Sequence, residues 1–227
     1  MCVICVKPSG VKMPTYQEIK NMWERNPDGA GYMLNRDGYV KIRKGFMDLS
    51  SFVKAIVEEK ITIQDVVIMH FRISTQGGIN GEMTHPFALS DKLEDMKELN
   101  VLTDIGVAHN GIIKMTSDGD KEYSDTAKFI ADYMSKIIRD KDDIYDAKIQ
   151  KIIGKLIESK MAILTNDGKY VLIGEFIEKD GLYFSNIFHD EDYYFDYIGF
   201  QNMRRNNLYS NASRSKSWKN YKSKWNF

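Results

Sequence analysis

Only two cysteines occur in the 227 residues, Cys2 and Cys5, too few for a disulfide framework. Net charge is absent as well: 32 Lys and Arg balance 32 Asp and Glu, so the chain as a whole has no bias toward nucleic acid or an anionic membrane. No apolar run approaches the roughly 20 residues that a membrane-spanning helix needs. Lys7 interrupts the only early apolar stretch, so no signal peptide is expected either. Internal repeats are missing too. Together these absences lead to the expectation of a soluble protein of a reducing, cytoplasmic compartment. The abundance of Lys, Ile, Asn and Tyr suits an AT-rich genome, viral ones included. What is present is a 43% apolar fraction, near the globular norm, and a length that suits one large domain or two small ones.

Local patterns alternate between strands and amphipathic helices. Residues 1–6 read as a short buried strand. Thr15 and Glu18 have the spacing of a capping box, and Tyr16, Ile19, Met22 and Trp23 follow at helical spacing. Asn26-Pro27-Asp28-Gly29-Ala30-Gly31 ends that helix with turn chemistry. Asn35-Arg36-Asp37-Gly38 joins two short strands, Tyr32–Leu34 and Tyr39–Arg43, as a hairpin. Asp48 caps a second helix carrying Phe52, Ile56 and Val57. The apolar run Val66–Phe71 reads as a central strand, residues 73–84 as a loop, and Val101–Ala108 as one further strand. Ser124 or Asp125 starts a third helix with an apolar stripe of Phe129, Ile130, Tyr133, Met134, Ile137 and Ile138. Residues 140–160 extend it or add another helix. A hairpin turns at Asn166-Asp167-Gly168, and a last strand is expected over Gly181–Ser185. Hairpins interleaved with long helices argue an α+β fold with antiparallel sheets.

The C-terminal stretch differs. From Met203 to Phe227 there are seven Lys or Arg and no acidic residue, with Trp and Tyr interspersed. We expect a folded domain over 1–200 and a basic, flexible tail over 201–227. The plain reading of that tail is a solvated terminus; the sharper one is an arm making weak contacts with nucleic acid or protein.

Several positions carry chemistry. If the initiator methionine is removed, Cys2 becomes the first residue and joins a thiol to a free α-amine. That amine has an ordinary pKa of about 7.7–8.0, so it can act as a base near neutral pH. Arg72 ends the most buried strand, and its guanidinium fork suits a carboxylate; a structural ion pair is the alternative. Asn110 and Gly111 lie at a strand end, where a carboxamide and a backbone N–H could serve an oxyanion or simply form a turn. Thr84-His85-Pro86 follows the glycine-rich loop, and Asp125 sits at a helix start. Cys2 and Cys5 also spell C-x-x-C, but positions i and i+3 of a strand face opposite ways, so no metal is expected there.

Taken together, Cys2, the Asn26–Gly31 turn, Arg72, Thr75, Thr84-His85-Pro86, His109-Asn110-Gly111 and Asp125 resemble, in order, the class II glutamine amidotransferases. These are N-terminal-nucleophile hydrolases, and the resemblance spans roughly residues 2–185. It implies a four-layer α/β/β/α sandwich with two mainly antiparallel sheets. It also implies that the Cys2 thiol attacks the side-chain amide of glutamine or a γ-glutamyl compound, with its own α-amine as base. Asn110 and the Gly111 N–H would hold the oxyanion, Arg72 the substrate α-carboxylate and Asp125 its α-ammonium. Thr75 would help to position the substrate, and His85 would belong to the substrate shell. No cofactor is required. An ammonia-accepting synthase would be a separate subunit, unless the chain is a stand-alone γ-glutamyl amide hydrolase acting on a larger substrate, or a catalytically idle fold that binds through its basic tail. One departure stands out: Thr75-Gln76-Gly77 occupies the place where many members carry Thr-His-Gly.

Overall fold

The computed structural model describes residues 2–74, 78–120, 122–187 and 189–190; the expected tail, Thr75 and Gln76 lie outside them. The chain forms β1 (Val3–Lys7), α1 (Tyr16–Arg25), β2 (Ala30–Arg36), β3 (Tyr39–Phe46), α2 (Leu49–Glu58), β4 (Val67–Phe71) and β5 (Phe87–Ala88). There follow β6 (Asn100–Thr103), β7 (Ile105–Asn110) and α3 (Asp125–Phe129), which runs through a π-helical segment (Ile130–Met134) into α4 (Ser135–Ile137). Next come α5 (Ala147–Ile157), β8 (Lys160–Thr165), β9 (Tyr170–Ile173), β10 (Ile177–Lys179) and β11 (Leu182–Phe184). Strands are ordered β10-β11-β1-β4-β2-β3-β6 in a seven-stranded sheet and β5-β7-β8-β9 in a four-stranded one. Every neighbouring pair is antiparallel, which makes the fold α+β.

Strand alternation distributes the core. Val3, Cys5, Val67, Met69 and Phe71 pack with Ile19, Met22 and Trp23 of α1 and Phe52 of α2 on one face of the larger sheet. Ile4, Val6 and Ile68, on the opposite face, pack against Ala108, Ala162 and Leu164 of the smaller sheet. The other face of the smaller sheet, with Val107 and Ile163, is covered by Phe129, Met134 and Ile153. Fully burying each large apolar side chain stabilises the fold by roughly 1.5–3 kcal/mol.

Helix ends follow local chemistry. Thr15 Oγ1 accepts from Glu18 N at 3.2 Å while Glu18 Oε2 accepts from Thr15 N at 2.8 Å, a reciprocal capping box. Asp48 Oδ1 accepts from Ser51 N at 2.8 Å to start α2. Ser124 Oγ accepts from Ala127 N at 3.2 Å, so Ser124, not Asp125, caps α3.

Three expectations need correction. The single strand over Val101–Ala108 is two strands in different sheets, separated at Asp104. Asp104 is engaged by the β8–β9 hairpin instead: its carbonyl accepts from Asn166 N at 2.8 Å and its Oδ1 from Asn166 Nδ2 at 2.7 Å. Tyr16 and Val57 are exposed rather than core, because each lies at the end of its helix where the covered stripe has run out. Tyr133 is also exposed, since the wider π-helical turn shifts the apolar stripe that regular 3.6-residue spacing would continue.

Candidate active site

Three adjacent strands bring Cys2, Arg72 and Ser185 to one edge of the inter-sheet space. β1 lies between β4 and β11, with Val3 opposite Phe71 and Cys5 opposite Phe184. Because Ile4 and Ile68 face the smaller sheet, the same alternation carried outward places Cys2 and Arg72 on that face as well. Asn110, at the end of β7, shares the face of Ala108 and so meets them from the opposite sheet.

Cys2 is half-buried, and its thiol engages the backbone of Ile73. Sγ lies 3.4 Å from Ile73 O as donor and 3.4 Å from Ile73 N as acceptor. Burial pushes the thiol above its ordinary pKa, against the opposing pull of the Ile73 amide and the Arg72 guanidinium. The thiol is therefore neutral near pH 7. Cys2 O accepts from Asn186 Nδ2 at 2.6 Å.

Arg72 is buried, and its backbone continues the sheet beyond β4, donating from N to Gly29 O at 2.8 Å. Its Nη1 donates to Gly78 O at 2.7 Å. Burial lowers the guanidinium pKa, while the nearby groups of Cys2, Asp28 and Asp125 oppose that shift. Arg72 thus lies near the Cys2 thiol and the carboxylates of Asp28 and Asp125. Asp28 also receives Ser74 N on Oδ2 at 2.8 Å, so it anchors the loop after Arg72.

With Ser124 serving as cap, the carboxylate of Asp125 is used elsewhere. Oδ2 accepts from Ile113 N at 2.6 Å and Oδ1 from Thr126 N at 2.8 Å. Burial raises its pKa, and those two amides oppose the rise. Each oxygen retains acceptor capacity for a cation.

Asn110 is buried and its Nδ2 donates to Ser185 Oγ at 2.8 Å, while its Oδ1 has no partner among the described residues. Gly111, with φ of 154°, has room for no side chain: a Cβ there would collide with Ser159 Cβ.

His85 is buried among the other histidines. Its Nδ1 lies 3.1 Å from His70 Nε2 and 3.0 Å from His109 O, and its ring contacts Phe87 edge-on. His70 Nε2 also lies 3.0 Å from His109 O. The His109 ring faces the helices, with Nδ1 2.8 Å from Thr126 Oγ1 and Nε2 2.6 Å from Ser159 Oγ. Burial drives His70 and His109 down to a pKa of about 3, and His85 well below its ordinary value, so all are neutral. His109 thereby braces both the start of α3, beside Asp125, and the Ser159 side chain against Gly111.

Cys5 lies in the apolar core beneath α1 and α2, away from Cys2. No cluster of three or more His, Cys, Asp or Glu among the described residues is arranged to hold a metal ion. Nor is any described helix long and apolar enough to cross a membrane.

The sequence reading missed Ser185, Asn186 and the site role of Asp28. Asp28 was visible as part of a turn. Ser185 and Asn186 carried no signal, because their role arises only when β11 pairs with β1 at the start of the chain.

No protein-family model matches the chain, and no curated protein is significantly similar to it.

Proposed function

We propose that the chain is an amide hydrolase of the glutamine amidotransferase type, built on the four-layer sandwich of the N-terminal-nucleophile hydrolases. The observation that carries this reading is the convergence of Cys2, Arg72 and Asp125. A thiol and a buried carboxylate from distant parts of the sequence lie within electrostatic reach of the buried Arg72 guanidinium. That combination suits a substrate with one carboxylate, one ammonium and an electrophilic carbonyl, as in glutamine. The layer order of helices, seven-stranded sheet, four-stranded sheet and helices supports the fold assignment.

In this mechanism the mature chain begins at Cys2. Its α-amine takes the thiol proton as sulfur attacks the side-chain carbonyl carbon, and returns it to the departing nitrogen, releasing ammonia. Water then cleaves the thioester, releasing glutamate and restoring the thiol. Arg72 pairs with the substrate α-carboxylate and Asp125 with its α-ammonium. A substrate lacking either group forgoes one of these two ion pairs, which selects against it. Asn110 and the Gly111 N–H face the oxyanion; removing one such donor typically raises the barrier by about 2.7–4 kcal/mol.

The test is to incubate the full-length protein with glutamine, following ammonia and glutamate, and to take intact masses with and without an electrophilic glutamine analogue. Turnover and a single adduct on Cys2 are expected. A protein whose terminus is Cys2 yet forms neither product nor adduct would refute the reading.

A further inference from the structure

We propose that Ser185 is a positioning residue for this hydrolysis: its hydroxyl donates to the carboxamide oxygen of Asn110 and thereby aims the amide nitrogen at the reacting carbonyl. The inference rests on the reaction proposed above and adds to it a residue outside the motif order that suggested it.

The argument is a hydrogen-bond inventory. Ser185 Oγ accepts from Ile4 N at 2.8 Å and from Asn110 Nδ2 at 2.8 Å. A hydroxyl has one proton to give and two lone pairs to receive. Both lone pairs are used here, so its own proton has no acceptor among the described residues, while the buried Asn110 Oδ1 has no donor. Turning the carboxamide by 180° about its terminal bond, a torsion with two nearly equivalent wells, pairs the hydroxyl proton with Oδ1 and makes the NH2 the group that awaits a partner. Ser185 then accepts from Ile4 N and donates to Asn110 Oδ1. The amide NH2 moves to the place the orphan oxygen occupied, on the face shared with Cys2 and Arg72. A buried donor in that place is satisfied when a substrate carbonyl oxygen arrives, and it strengthens as that oxygen becomes an anion.

Ser185 is well placed for this task. It is buried, its N donates to Ile4 O at 2.9 Å, and its O accepts from Lys160 Nζ at 2.7 Å. The side chain therefore stands on a backbone tied to both sheets. An alanine there would leave the carboxamide without a partner to choose its orientation.

The experiment is a double-mutant cycle on the full-length protein: wild type, Ser185→Ala, Asn110→Ala and both together, with glutamine as substrate. Ser185→Ala should lower kcat about 10- to 100-fold, less than the roughly 10²–10³-fold expected when a donor itself is removed. KM should stay within about twofold, because Arg72 and Asp125 are untouched. On the Asn110→Ala background, Ser185→Ala should have no further kinetic effect. An equal loss on both backgrounds would show that Ser185 acts only by supporting β1, and would overturn the proposal. So would an unchanged kcat in the single variant. If Ser185→Ala does not fold, Ser185→Cys, similar in size but a weak donor, is read by the same criteria. Absence of turnover in wild type with Cys2 as its terminus would refute the reaction and this role together. Wild-type turnover with an additive cycle refutes Ser185 alone.

Discussion

The sulfur of Cys2 lies 3.4 Å from the amide nitrogen of Ile73 and 3.4 Å from its carbonyl oxygen. The thiol is thus docked on the strand extension that carries Arg72, so the proposed nucleophile and the proposed substrate clamp share one edge. Cys2→Ala should remove hydrolysis of glutamine and labelling by the electrophilic analogue. Its urea midpoint should move little, since these two sulfur contacts are long and weak. Retained turnover in that variant would place the nucleophile elsewhere.

Asp125 offers a second test. Asp125→Asn keeps an acceptor for one of the two amides now served but loses the negative charge. KM for glutamine should rise at least tenfold, and stability should fall by about 1–2 kcal/mol from the imperfectly served amides. Steady-state kinetics and urea unfolding check the two parts separately. An unchanged KM moves the ammonium contact to another carboxylate, with Asp28 next in line.

The buried histidines make stability pH-dependent. His70 and His109 fall from an ordinary 6.5 to about 3, and His85 falls well below 6.5, all through burial. Their folded-state values are depressed, so the unfolded chain takes up protons first on acidification. Stability is full above pH 6.5 and declines as pH falls through it, by on the order of 1 kcal/mol per histidine by pH 5.5. Few carboxylates titrate between pH 6.5 and 5.5, so urea midpoints across that window read the imidazoles. A flat profile would mean that the rings are charged or solvated.

Gly31 in β2 tests the packing behind the histidines. A Cβ there would overlap the carbonyl oxygen of His85 and come within 2.6 Å of Lys44 Cβ and 2.9 Å of Lys44 Cα. Gly31→Ala should destabilise the fold by about 1–3 kcal/mol, because the close neighbours are mostly backbone. Denaturant unfolding measures it, and a neutral result would mean that the His85 segment gives way freely.

Much of the fold was legible in the sequence where local chemistry acts alone. Thr15 and Glu18 declared a helix start, Asn35–Gly38 a hairpin, and the apolar run through Ile68 and Met69 an inner strand. What was hidden depends on distant partners. Asp104 divides an apolar stretch between two sheets because Asn166 binds it there. Phe87–Ala88 is too short a strand to show a period. In the candidate site, Cys2, Arg72, Asn110 and Asp125 could be singled out because a thiol, a guanidinium, a carboxamide and a carboxylate stood at the ends of recognisable elements. His85 stood in the same pattern, yet its ring faces other imidazoles, a consequence of sheet packing that spacing does not encode. Ser185 was invisible for the reason that makes it interesting: its partners, Ile4 and Asn110, lie 181 and 75 residues away in sequence.

The place of β1 between β4 and β11 has a consequence in time. Cys2 is made well before the groups that hold its surroundings, Ser185 Oγ on Ile4 N and Asn186 Nδ2 on Cys2 O, which follow their partners by more than 180 residues. A nascent chain therefore carries Cys2 without these contacts until residues 185 and 186 have been made. The pairing of β11 with β1 is the event that completes them.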